Sequence, residues 1–158
     1  MVLFILFCFL IIPFQLVAAL QRAGRMKNID PALRFRFGVT ILFFFTGIGH
    51  FIRTEDMAAM MGKGFPQAIL AVQVTGILEL LAAIGIWLPK IRRMTGRCLI
   101  LMMILFLPLN IWAAIQHLPF GGHALGPIYL LARVPFQFLL IWWIFKATMP
   151  ATAPSDAR

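Results

Sequence analysis

Glu79 and Arg133 each stand inside a long run of apolar residues. A charge at the centre of a bilayer costs at least a few kcal/mol, so such groups pair, face the interior of a helical bundle, and mark ligand or proton sites. Gln73, Gly76, Glu79 and Leu80 recur at spacings of three and four, which draws one stripe on a helix. Its glycine allows another helix to approach closely. Tyr129, Arg133 and Gln137 are four apart and project from one face. Phe106, Asn110, Ala113 and His117 share a third face, and Phe43, Thr46, Gly47 and His50 a fourth. The candidate ligand-binding set is therefore His50, Gln73, Glu79, Asn110, Tyr129, Arg133 and Gln137, with no catalytic residue assigned.

Each candidate has a plainer reading. Glu79 and Arg133 enter their runs from the same side, roughly 20 Å and 14 Å deep at 1.5 Å per helical residue. An ion pair between them is expected, either structural, fixing helix register, or part of a ligand or proton site. His50 either caps a helix end or carries a proton, since imidazole titrates near neutrality. Asn110, Gln73 and Gln137 suit interhelical hydrogen bonding as well as ligand contact. His117 and His123 flank a Pro-Phe-Gly-Gly turn, and a metal site needs more ligands than these two, so no metal is expected. Cys8 and Cys98 are expected on the order of 20 Å apart, against a disulfide limit of roughly 7 Å. There is no glycine-rich phosphate loop and no nucleophile elbow.

The elements that must position these residues are membrane helices. Of 158 residues, 62% are hydrophobic and 12% charged, a balance that excludes a soluble enzyme, a disordered chain and a secreted disulfide scaffold. The net charge of +9 does not imply nucleic acid, because the basic residues cluster at the ends of bilayer-length runs. Five spans are expected: residues 2–20, a second starting near Leu33 and ending near Arg53, then 66–88, 98–116 and 124–146. Arg34 and Arg36 would snorkel from the second span toward water. Positive charge marks the cytoplasmic side. With the N-terminus outside, that side receives Arg22, Arg25, Lys27, Arg34, Arg36, Lys90, Arg92, Arg93, Arg97, Lys146 and Arg158, and the outer side only Arg53 and Lys63. This predicts an N-out, C-in bundle with polar stripes in its outer half. The first span is read as a retained helix, the alternative being a removed signal. Pro108 and Pro135 free the carbonyls of Ile104 and Leu131, as happens beside cavities. Residues 22–32 read as a basic cytoplasmic linker, and 148–158 as a disordered tail.

The segments Thr46-Gly47-Ile48-Gly49-His50-Phe51, Thr75 through Pro89, Pro108-Leu109-Asn110-Ile111, Gly126-Pro127, Arg133-Val134-Pro135-Phe136-Gln137 and Trp142-Trp143 occur in an order that resembles the DoxX-like family of small bacterial membrane proteins. The resemblance covers about residues 33–147. It implies an all-α, four-helix transmembrane core, to which residues 1–21 add an extra span. It also implies a multipass protein of the bacterial inner membrane. The family's polar positions carry over to His50, Glu79, Asn110, Arg133 and Gln137. Relatives include a quinone-linked oxidoreductase subunit, proteins linked to oxidative stress, and assembly chaperones. The chain departs from them in lacking a cysteine pair, which puts a thiol-redox role in doubt.

Three functions are compatible with these residues. One is a non-enzymatic accessory protein holding a lipophilic ligand, or a partner membrane protein or second copy of itself. The second is a quinone-linked redox component, with quinone as cofactor. The third is a small transporter or channel, which a chain with no repeated half and no broken helix pair supports least. The bilayer is the expected partner in all three, and nucleic acid in none.

Overall fold

The computed structural model describes residues 2–25, 30–62 and 64–149. Among them all regular structure is helical: α1 (Val2–Arg22), α2 (Ala32–Ile52), α3 (Thr54–Ala59), α4 (Ala68–Gly85), α5 (Arg92–Ile115), a 3-10 segment (His123–Tyr129) and α6 (Leu130–Thr148). Five of these units are long and apolar enough to cross a membrane, the last being the 3-10 segment joined to α6. They coincide with the five expected spans. The expected tail, 148–158, lies almost wholly outside the described residues, as do residues 26–29 of the basic linker.

The helices α1, α4 and α6 pack around α2, and α5 packs on α6, while α4 and α5 touch only lightly. The core joins Leu6 and Leu10 of α1, Val39, Leu42 and Phe43 of α2, Ala83 of α4, Leu99 and Met103 of α5, and Phe136, Leu140, Trp143 and Ile144 of α6. The N-terminal span is thus part of the packed body. Where α1, the start of α2 and the second half of α6 meet, Phe14, Phe35 and Trp143 stack edge to face, with centroids 5.0 to 5.3 Å apart. The opposite surface of every span is apolar and exposed, including Phe4, Ile12, Leu78, Leu81, Leu101, Leu105, Leu131 and Phe138. A solvent of lipid tails explains that pattern where water would not.

Two close approaches fix the geometry around the polar stripes. A Cβ on Gly76 would lie 2.7 Å from His50 Cβ and 3.1 Å from the Gly47 carbonyl oxygen. One on Gly47 would meet the Leu80 side chain at 2.9 Å. Bare backbone at both positions lets α2 and α4 cross in contact, as the glycine in the sequence stripe anticipates. Three helices contain an internal proline, α1 at Pro13, α5 at Pro108 and α6 at Pro135, and each continues through it.

Arg36 overturns an expectation. It does not snorkel toward water but is 5% exposed. Its Nε donates to the Ala147 carbonyl at 3.0 Å and its Nη2 to Asp30 Oδ2 at 2.6 Å. Asp30 also accepts the Ala32 N–H at 2.8 Å, at the start of α2. A carboxylate and a free helix-end carbonyl supply partners within the protein, so the guanidinium turns inward. Arg34 keeps its place near the surface, donating to Gln21 of α1.

Candidate functional site

A cavity of about 440 Å³ opens within the bundle at the end capped by α3 and by the loop between α5 and the 3-10 segment. Its deeper walls are apolar: Leu6 of α1, Leu42 and Phe43 of α2, Met103 and Phe106 of α5, and Phe136 and Leu140 of α6. His50, Glu79, Asn110, Tyr129 and Arg133 of the candidate set all line it. Gln73 and Gln137, the other two candidates, do not. Gln73 is half-buried elsewhere on α4. Gln137 is fully buried against α5, where its Nε2 donates to the Met103 carbonyl at 2.7 Å. That bond ties α6 to α5, the interhelical role open to Gln137 from the outset.

The expected ion pair between Glu79 and Arg133 is not formed. Glu79, 3% exposed, is taken up by α2. Its Oε2 lies 2.5 Å from Thr46 Oγ1 and its Oε1 lies 3.5 Å from His50 Nε2. The Gly47–Gly76 crossing places those two α2 side chains against Glu79. His50 Nδ1 is 2.9 Å from the Val72 carbonyl and 3.1 Å from Thr75 Oγ1. A carbonyl only accepts, so Nδ1 carries hydrogen and Nε2 faces the carboxyl group.

The opposite wall holds a second cluster. Arg133 Nε donates to Asn110 Oδ1 at 3.1 Å, and Asn110 Nδ2 donates to the Phe106 carbonyl at 2.7 Å. His123 is buried, with Nδ1 2.7 Å from the Phe120 carbonyl and Nε2 3.3 Å from Asn110 Oδ1. Tyr129 packs edge-on against the His123 ring at 4.8 Å. Gly122 permits this: at φ 112° it turns the chain, and a Cβ there would strike the Tyr129 ring at 2.7 Å.

Three parts of this site were not singled out by the sequence. His123 was read as flanking a turn, because the residue lies outside the apolar run. The 3-10 segment and the non-helical Gly126 (φ 68°, ψ −150°) fold it back over the cavity. Thr75 gave no signal beyond its neighbours. The residues after Arg53 fall between two expected spans, but 54–59 form α3, with Glu55 and Asp56 in its first turn. Met57, Met60 and Met61 from this segment line the cavity mouth. Arg53 at the same mouth is neutralised by Asp56, 2.6 Å away.

Among the described residues, no group of three or more His, Cys, Asp or Glu gathers as a metal site would require. Cys8 and Cys98 are both free thiols, on α1 and α5.

Five apolar spans around an internal cavity define a multipass helical membrane protein. One family pattern, Domain of unknown function (DUF8561), matches residues 39–148. The match takes in more than half of the chain, and the chain belongs to this family. It begins within α2, so α1 lies outside the matched region. No curated protein matches the chain, and no solved structure does.

Proposed function

We propose that this chain is a non-enzymatic accessory protein of the bacterial inner membrane that holds a lipophilic molecule inside its bundle. The observation that carries the reading is the sorting of the cavity wall. Aliphatic, aromatic and methionine side chains form most of it, and the polar groups gather in two opposed clusters, Glu79 with His50 and Asn110 with Arg133. Ligand cavities of several hundred cubic ångströms with few, convergent polar groups have this make-up. Methionines at the mouth adapt to varied apolar shapes. The DoxX-like resemblance supports the same reading, since four of its five carried-over polar positions line the cavity. A partner membrane protein or a second copy of the chain would fit such a role.

A second reading, a quinone-linked redox component, is favoured by the approach of His50 Nε2 to Glu79 Oε1, a pair able to pass a proton to a bound carbonyl. The small transporter has no comparable observation behind it.

The test is photolabelling of the full chain in lipid nanodiscs with a diazirine-bearing decanol. Labelled peptides should map to α2 and α5 around Thr46 and Phe106. Gly49→Leu should abolish that labelling: Gly49 lines the cavity, and an added Cβ there meets only the flexible Met57 Cε at 3.9 Å, so a longer side chain is placed to occupy the cavity space. Labelling confined to the outer apolar surface, unchanged by the variant, would overturn the ligand reading.

A further inference from the structure

We infer that the cavity selects an amphiphile with an anionic oxygen head group, a carboxylate or phosphate monoester, seated on Arg133. This rests on the cavity being a ligand site, and it follows from which charged groups on its wall already have a charged partner.

Glu79 is already engaged on α2, with Oε2 2.5 Å from Thr46 Oγ1 and Oε1 3.5 Å from His50 Nε2.

Arg133 has no direct anionic partner among the described residues. Its guanidinium carries five N–H donors, and its Nε spends one on the neutral Asn110 amide. No carboxylate lies within ion-pair distance of it among the described residues. Arg53, the other arginine lining the cavity, is paired with Asp56 at the mouth. His123 and Tyr129 stand beside Arg133 without an anion to offer. A guanidinium in this setting is stabilised by an incoming anion, and its planar fork suits the paired oxygens of a carboxylate or phosphate. The apolar depth of the cavity takes the chain attached to that head.

Competition against the diazirine-bearing decanol in nanodiscs tests the inference, at a pH where the acids are ionised. Decanoate and decyl phosphate should displace the probe at concentrations about tenfold or more below decanol, the scale of one charge-assisted hydrogen bond. Whichever acid is stronger separates a fatty-acid source from a phosphate source. Arg133→Gln should erase the advantage of acid over alcohol, and Arg133→Lys should retain part of it. Decanol competing as well as both acids on the unaltered chain would overturn the inference without touching the ligand reading, and this comparison needs no variant to fold. Absence of cavity labelling by the probe itself would instead remove the ligand reading.

Discussion

Glu79 Oε1 lies 3.5 Å from His50 Nε2, and Glu79 Oε2 lies 2.5 Å from Thr46 Oγ1, so the buried acid of α4 is held by two side chains of α2. The other face of the bundle leaves Arg133 on Asn110. The two charges expected to neutralise one another instead anchor two separate clusters across one cavity.

This division predicts how Glu79 variants behave. A glutamine can still meet Thr46 with its oxygen and donate to the His50 lone pair with its amide. Glu79→Gln should therefore fold with a melting temperature near that of the unaltered chain. Glu79→Ala strands both partners in a buried site and should lose about 1–3 kcal/mol. Thermal denaturation in detergent checks both. Equal destabilisation by the two variants would mean that the carboxylate charge itself holds the fold.

The same relationship explains what the sequence could and could not reveal. Apolar run lengths marked all five spans, because burial in lipid demands internal hydrogen bonding along about 20 residues. Helical spacing assigned His50, Glu79, Asn110 and Arg133 to inward stripes, and all four line the cavity. Spacing gives a residue's face and depth, but not the rotation of one helix against the next. The partner of Glu79 was settled by the Gly47–Gly76 contact, which sets α2 closer to α4 than any element carrying Arg133. His123 and α3 escaped notice for a related reason. They lie beyond the apolar periodicity, in segments placed by tertiary contacts and by backbone turns at Gly122 and Gly126. Arg36 looked like a residue reaching for water because its acceptors, Asp30 and the Ala147 carbonyl, come together only in the folded chain.

Gly76 should be intolerant of even one methyl group. An alanine Cβ there would sit 2.7 Å from His50 Cβ and 3.1 Å from backbone oxygen, neither of which is the free end of a flexible chain. Gly76→Ala should cost roughly 1–3 kcal/mol by overpacking. It should also push His50 out of reach of Glu79, weakening retention of the decanol probe. Gly64→Ala, where nothing lies within 4 Å, is the matched control and should leave both readouts unchanged. If the two alanines behave alike in SDS unfolding titrations, the α2–α4 crossing is looser than described.

A double-mutant cycle distinguishes the observed pairing of Arg133 from the ion pair that the sequence suggested. Asn110→Ala with Arg133→Met removes a direct contact and should show a coupling energy of about 0.5–3 kcal/mol, the range for residues in one hydrogen-bond network. Glu79→Gln with Arg133→Met joins groups with no contact within ion-pair distance and should add to within about 0.5 kcal/mol. Stronger coupling in the second cycle than in the first would show that the acid and the guanidinium meet after all.

Asp30 gives the fold an acid-sensitive clasp at the opposite end of the bundle. Burial pushes its pKa up, but the Ala32 N–H and the Arg36 guanidinium outweigh that and hold it below the usual 3.8. A carboxylate with a lowered folded pKa contributes stability that is complete above its unfolded value and is lost as pH falls through the folded one. The window thus lies below about pH 4. The Asp30 side chain is 44% exposed, so the contribution is screened and modest. Asp30→Asn should lower the melting temperature at neutral pH, by freeing the buried Arg36 from its one carboxylate contact. On acidification the unaltered chain should converge on the variant, because protonated Asp30 no longer offers a charge. Melting curves of both proteins across that range decide it: a gap that persists at the acid end would mean that Asp30 does not act through its charge on Arg36.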